Sequence, residues 1–330
     1  MHMEIARAII LATPTAHDRP WSSLGRGPKP LVPVATKPVL LHTLEALREA
    51  GVLEVVVLTE PDTIPSYEAV VGDSASWGMA IRYEDRSGEV DVRGALRATN
   101  PLLDGEPVLV QRADTMLRGR LRDHIVAFAR ERLDALALRL PAPAPAPLPP
   151  PGGGYLLSAR AVATMLEDAA GAEPLADLER RGGRVAFREV DGCLACHGSE
   201  AALLEANRHA LEGLQGEVAG SLEDCEIQGP VVAHHTAVLR DTLIRGPVII
   251  GPRVQVIGSY VGPYTSIGAR ARVEGTEIEH SIVMEGARLL FVGSRLETSI
   301  IGRGASIRRR FDMPSAVRLS VGDGAEVALS

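Results

Sequence analysis

From about residue 222 onward, apolar side chains return every sixth residue. Val232, Val238, Ile244, Ile250 and Val256 stand six apart, and after a five-residue step Val261, Ile267 and Val273 repeat the spacing. A third register holds Val283, Leu289, Ile301 and Ile307, with Arg295 as its one miss. A helix repeats every 3.6 residues and a half-buried strand every 2, so neither accommodates this period. Six is the period of a hexapeptide β-helix, in which each repeat points one apolar side chain into the bore of a prism and small or turn-prone residues round the corners. IIGPRV, VGPYTS and IGARAR supply such corners. An irregular β-sandwich would not keep five successive repeats in step. Residues 222–330 are therefore read as a left-handed parallel β-helix domain.

The first 215 residues follow another pattern. IARAIIL at 5–11 reads as a buried strand, residues 39–50 as an amphipathic helix stopped by Gly51, and LEVVVLT at 53–59 as a second strand. Strand, helix, strand implies a parallel pair with a crossover, hence an α/β domain. Strands are expected at 81–83, 107–111, GYLLS and RVAFREV, and helices at 121–132 and 200–214. Within this domain, residues 141–154 combine PAPAPAPLPPP with three glycines and read as an extended spacer outside the sheet.

Composition narrows the function classes. A net charge of −7 and eleven aromatics argue against nucleic-acid binding. No apolar run reaches the ~18 residues of a membrane span. The N-terminal MHMEIARAIILATPT has no basic start and no clean cleavage site, so a cytoplasmic protein is expected. Three cysteines, an odd count, do not suggest a disulfide framework. Only two of the 35 basic residues are lysines, Lys29 and Lys37, and both fall in PKPLVPVATKPVL. A compact ammonium and a forked guanidinium are not interchangeable at a phosphate or a tight turn, which marks this segment.

A strand, a loop, PKPLVPVATKPVL, an amphipathic helix and C-terminal hexapeptide repeats together resemble the sugar-1-phosphate nucleotidyltransferases, and within them the long-form glucose-1-phosphate thymidylyltransferases. Residues 28–59 carry the match, LLEANRHALEGL at 203–214 is similar to the family's closing helix, and GPVIIGPRVQVIGSYVGPYTSIG is similar to its β-helix. Residues 112–190 match loosely. The resemblance implies a Rossmann-like nucleotidyltransferase domain over 1–215. It also implies attack of a sugar 1-phosphate on the α-phosphorus of a nucleoside triphosphate with release of diphosphate, a reaction run by positioning and charge neutralisation.

Four parts normally supply that chemistry in the family. The glycine-rich loop LAGGxGTRLRPLT is answered here by LATPTAHDRPWSSL, with Thr13, Pro14 and Ala16 at glycine positions, Asp18 near the family arginine, and Arg19 able to replace it after a one-residue gap. Proline offers no N–H to a phosphate, so the cradle reads as broken. Lys29 matches the phosphate-contacting lysine, and Lys37 matches the next Lys-Pro step or is a solvated helix-start residue. Asp114 in VLVQRADTML matches the first magnesium-holding aspartate, a surface aspartate being the alternative. The second aspartate falls on Cys196 in GCLACHGSEAALLEAN, with His197 beside it, and thiolate is a poor ligand for the hard Mg2+ ion. The glutamate-lysine-proline motif is missing, since no lysine follows Lys37. VDVRGALRA at 90–98 loosely resembles a nucleobase-contacting LGTAGAL, with Gly94 in place.

Other constellations stay open. Cys193-Leu-Ala-Cys196-His197 fits covalent haem attachment, a zinc or redox pair, a nucleophilic Cys196 activated by His197, or an inert buried pair. His234, His235 and His280 read as surface residues, and Arg308, Arg309 and Arg310 as a solvated face or subunit contact. The resemblance thus implies a divergent, ligand-binding or regulatory homologue that has lost most of its nucleotide-sugar synthesis. Its candidate catalytic residues are Lys29, Asp114, Cys196 and His197; its ligand contacts are Arg19, Lys37 and Gly94; Mg2+ would sit at Asp114. A nucleotide or sugar phosphate is the expected ligand and a homo-oligomer the expected assembly, because β-helix edges call for partners. The alternative is an active enzyme, either a weak thymidylyltransferase or one with new chemistry around Asp114, Cys196 and His197.

Overall fold

The computed structural model describes residues 5–13, 27–88, 90–140, 153–167, 174–195 and 199–309. Its N-terminal part runs β1 (Arg7–Leu11), a 3-10 turn at Lys29–Leu31, β2 (Pro33–Val34), β3 (Lys37–Pro38), α1 (Val39–Ala50), β4 (Glu54–Thr59), α2 (Ile64–Val71) and β5 (Ala80–Asp85). It continues with α3 (Val92–Leu103), β6 (Val108–Arg112), β7 (Thr115–Leu117), α4 (Leu121–Arg130) and β8 (Ala135–Arg139). The last elements of this part are β9 (Gly154–Leu157), α5 (Ala159–Glu167), α6 (Pro174–Arg180), β10 (Val185–Glu189), β11 (Gly192–Leu194) and α7 (Glu200–Glu212).

Seven strands form one sheet in the order β10-β8-β9-β6-β1-β4-β5, parallel except for β9. Both faces are covered, which is why the strands read as continuous apolar runs. Ile10 packs under α1 with Leu40, Leu44 and Leu47, while Ile9 packs on the opposite face with Val92, Ala95 and Leu96 of α3. Each fully buried side chain of this kind contributes roughly 1.5–3 kcal/mol. α1 stops where expected: Gly51 takes φ 93° and returns its N–H to the carbonyls of Arg48 and Leu47. The helix α3 was not expected over 92–103. Asp91 caps it, its carboxylate accepting the Gly94 N–H at 2.7 Å.

Most of the proposed spacer, residues 141–152, lies outside the described residues. Its last residue, Gly154, is also the first of the expected strand GYLLS, and it opens β9, which is wedged antiparallel between β8 and β6. Gly154 has φ 109°, and a Cβ there would come within 2.8 Å of the Val110 carbonyl oxygen. Only glycine lets the strand enter.

The C-terminal part is the left-handed parallel β-helix, three parallel sheets of six, six and five strands. Partner columns run Leu222, Leu239, Val256, Val273, Leu289, Ile307 on one face and Ile227, Ile244, Val261, Ile278, Leu296 on another. The third column is Val218, Ala233, Ile250, Ile267, Val283, Ile301. Two expectations shift by one residue. Val232 and Val238 are half-buried on the outside, and Ala233 and Leu239 point into the bore. The reason is that most coils are 17 residues long rather than 18, as the pairing of Leu239 with Val256 and Val273 shows. A strict period of six therefore drifts out of register after one coil. The Arg295 miss is resolved likewise: the coil is one residue longer there, Leu296 takes the inner place opposite Ile278, and Arg295 lies outside with Glu277 at 3.0 Å and Glu279 at 3.4 Å.

One face of the prism docks on the sheet domain through Ile249, Tyr264, Ile282, Met284 and Ile300, packed with Val34, Val39, Leu203 and Leu211. Asn207 of α7, 1 % exposed, pins this junction. It accepts the Ala35 N–H at 2.9 Å and donates Nδ2 to the Tyr264 carbonyl at 3.0 Å.

Candidate active site at the strand ends

In a parallel sheet, ligands bind beyond the carboxyl ends of the strands, where the strand order reverses direction. Here that point lies between β1 and β6, because the chain leaves β1 toward β4 and β5 and only then returns to β6 on the other side. The Ala113 N–H donates to the Leu11 carbonyl at 2.9 Å, so Asp114 stands beside Ala12 and Thr13, the first residues of the connection that follows β1. Thr13 is buried. The rest of that connection, with Pro14, Ala16, Asp18 and Arg19, lies outside the described residues.

The sequence also places Cys196 and His197 near Asp114, and the chain leading to them does arrive there. β11 pairs antiparallel with β7, matching Leu194 to Thr115 and Cys193 to Met116, and the Ala195 N–H donates to the Asp114 carbonyl at 2.9 Å. Cys196 and His197 themselves are outside the described residues. Thr43 of α1 donates to the carbonyls of Ala113 and Thr115, at 3.1 and 3.2 Å, and closes the corner from behind. Asp114 thus sits on a short backbone segment held from three sides.

Its carboxylate is not a surface group: Asp114 is 2 % exposed. Both oxygens face the guanidinium of Arg112, with Nε 2.8 Å from Oδ1 and Nη2 3.1 Å from Oδ2. The fork geometry matches the carboxylate, a pairing lysine could not reproduce. Arg112 follows Val108 and Val110 on the sheet face that α3 covers. Sequence reasoning missed it, although an arginine ending an apolar strand two residues before the candidate aspartate is a signal of its own.

The two lysines bracket one structure. Lys29 is half-buried at the start of the 3-10 turn, and Lys37 forms β3 of the hairpin whose tip, Ala35 and Thr36, takes left-handed φ of 46° and 66°. Lys37 pairs with Glu45 of α1, which ties the hairpin to the helix. His42, behind the hairpin, donates its Nε2–H to the Val34 carbonyl and has its pKa lowered chiefly by burial. Gly94 lies in the first turn of α3, with its N–H given to Asp91. Cys193 is no ready nucleophile: burial, then the charges of Glu205 and Asp114, push its thiol up to about 12. His234 stacks near His235 at 4.1 Å between ring centres, far along the chain from these residues.

Comparisons with known proteins bear on the family of the chain. The model of the MobA-like NTP transferase domain matches residues 22–188. A glucose-1-phosphate thymidylyltransferase of Streptomyces griseus is 30% identical over 334 residues, 92% of this chain and 94% of that protein. Another, from Streptomyces antibioticus, is 27% identical over 337 residues, 91% of this chain and 93% of that protein. A crystal structure from Bacillus anthracis, assigned as a glucose-1-phosphate thymidylyltransferase, superposes with a TM-score of 0.52 at 17% identity, covering 64% of this chain and 97% of that one, which speaks for the fold alone. Shared fold, shared length and sequence likeness over most of both chains leave one conclusion: the chain belongs to the sugar-1-phosphate nucleotidyltransferase family.

Proposed function

We propose that this chain is a ligand-binding or regulatory member of its family that holds a nucleotide or sugar phosphate beside Lys29 and carries out little of the reaction NTP + sugar 1-phosphate → NDP-sugar + diphosphate. The observation that carries this reading is the Arg112–Asp114 pair, in which the guanidinium engages both oxygens of the candidate carboxylate. The sequence supports it, since a loop with Pro14 offers phosphate fewer N–H donors and the second aspartate position holds Cys196. Each lost charge-stabilising donor costs about 2.7–4 kcal/mol in a transition state, and the losses coincide here. Lys29, half-buried at the head of the hairpin, supplies positive charge for the ligand, with Arg19 and Lys37 as further contacts and Gly94 toward a base. A cytoplasmic homo-oligomer built through the β-helix completes the proposal; among the described residues no helix is long and apolar enough to cross a membrane.

The test is incubation with Mg2+, dTTP and glucose 1-phosphate while diphosphate is measured. Negligible turnover, with a rise in melting temperature from either compound that Lys29→Ala abolishes, is expected. Robust turnover lost in Lys29→Ala would overturn the reading. It would favour the second one, an active thymidylyltransferase or an enzyme using Asp114, Cys196 and His197, for which the 30% identity with the Streptomyces griseus enzyme across most of both chains speaks.

A further inference from the structure

We propose that Arg112 takes, as a built-in cation, the place beside Asp114 that a divalent ion would need, so that the pocket receives its phosphorylated ligand as a free anion and not as a magnesium complex. This rests on the reading that the strand-end site binds a phosphorylated compound.

The donor set of Asp114 does not fit Mg2+. That ion demands near-ideal octahedral oxygen coordination and keeps several of its waters, which requires room around a carboxylate with a free oxygen. Asp114 has neither. It is 2 % exposed, and Nε and Nη2 of Arg112 lie 2.8 and 3.1 Å from its two oxygens. The backbone that carries the carboxylate is tied to three elements, Ala113 N–H to Leu11, Asp114 carbonyl to Ala195, and the Ala113 and Thr115 carbonyls to Thr43, and the carboxylate itself is held by its two bonds to Arg112. Nor can the guanidinium leave without cost, since its side chain is itself only 13% exposed and a buried cation stripped of its carboxylate is strongly disfavoured.

Charge then selects the ligand. A carboxylate with a divalent ion carries a net single positive charge, whereas a carboxylate with a guanidinium is neutral. A site of this kind exerts less pull on a highly charged triphosphate than a metal site does, and it discriminates less against a phosphate monoester. Phosphate monoesters such as a sugar 1-phosphate, taken without a metal, are the class that fits.

Two measurements on the full-length protein decide it. First, electron paramagnetic resonance during Mn2+ titration reads free against bound ion. A bound ion could also arise at Glu279, His280 and Glu297 on the β-helix, whose ligand atoms lie within 4.8 Å of one another, so the titration is repeated on Asp114→Asn and on Glu297→Gln. The expected result is no bound Mn2+, or bound Mn2+ that Asp114→Asn leaves unchanged and Glu297→Gln removes. Bound Mn2+ lost in Asp114→Asn and kept in Glu297→Gln would overturn the proposal. Second, and without any variant, calorimetric affinities of glucose 1-phosphate and dTTP are compared in Mg2+ and in EDTA. Glucose 1-phosphate affinity unchanged within about twofold is expected, and a loss of about tenfold or more in EDTA would overturn the proposal should Asp114→Asn fail to fold. Robust diphosphate release, in contrast, would sink the non-catalytic reading while leaving the Mn2+ result to judge Arg112 by itself.

Discussion

Asn207→Ala tests how the hairpin bearing Lys37, and with it the edge of the site, is held. The Asn207 side chain is 1 % exposed and makes two hydrogen bonds, from the Ala35 N–H at 2.9 Å and to the Tyr264 carbonyl at 3.0 Å. Both partners have left-handed backbones, φ 46° at Ala35 and 57° at Tyr264, conformations that cost a non-glycine residue about 1–2 kcal/mol each and persist only when held. Truncation leaves one N–H and one carbonyl at a junction closed by apolar side chains. At about 1–3 kcal/mol for each unsatisfied buried group, the loss is about 2–6 kcal/mol. Urea denaturation gives the stability, and hydrogen exchange gives the location. Ala35 should lose protection while the amides of β1 and β4, on the far side of α1, keep theirs. Asn207→Asp separates the two bonds: it can still accept from Ala35 but sets a carboxylate oxygen against the Tyr264 carbonyl, so at neutral pH it should cost at least as much as alanine. A change below about 0.5 kcal/mol in Asn207→Ala, with Ala35 exchange unaltered, would refute the reasoning, because that is the range of an ordinary surface substitution.

Two further outcomes follow from the structure. The bore register predicts that Leu239→Ala, which empties a fully buried position, costs about 2–5 kcal/mol, while Val238→Ala one residue earlier on the outer surface costs within about 1 kcal/mol; equal losses in urea melts would show the register to be wrong. Burial holds the Cys193 thiol up to about 12 against an ordinary value of 9.0, so between these values the unfolded chain releases a proton that the native one keeps. Its contribution to stability is full below pH 9.0 and fades toward pH 12, and at neutral pH native Cys193 should alkylate far more slowly than the urea-unfolded peptide. Equal rates by peptide mass spectrometry would contradict that burial.

Much of the architecture was legible because burial on both faces, or in a narrow bore, writes its own period into the chain. IARAIIL, residues 39–50 with Gly51, and LEVVVLT announced β1, α1 and β4 almost to the residue. α3 escaped notice because Gly94 and Pro101 weaken its helical signal, and what fixes it is the Asp91 cap together with packing of Val92, Ala95 and Leu96 on the sheet. The β-helix was recognisable, yet its inner register was not, since a coil of 17 residues looks like a period of six over any short window. At the site, Asp114 could be picked out from VLVQRADTML, while nothing in the sequence marked Asn207 or what it grips.

A parallel α/β sheet and a hexapeptide prism can be read from the residues alone, because periodic hydrophobic burial is a local property repeated along the chain. It takes the folded chain to see that Arg112 closes on both oxygens of Asp114, that Ala195 brings the far strand against it, and that Asn207 clasps Ala35 and Tyr264 across 172 and 57 residues. Such contacts join positions with no common period, and the direction of a side chain at a strand end depends on what packs above it, which no stretch of sequence records.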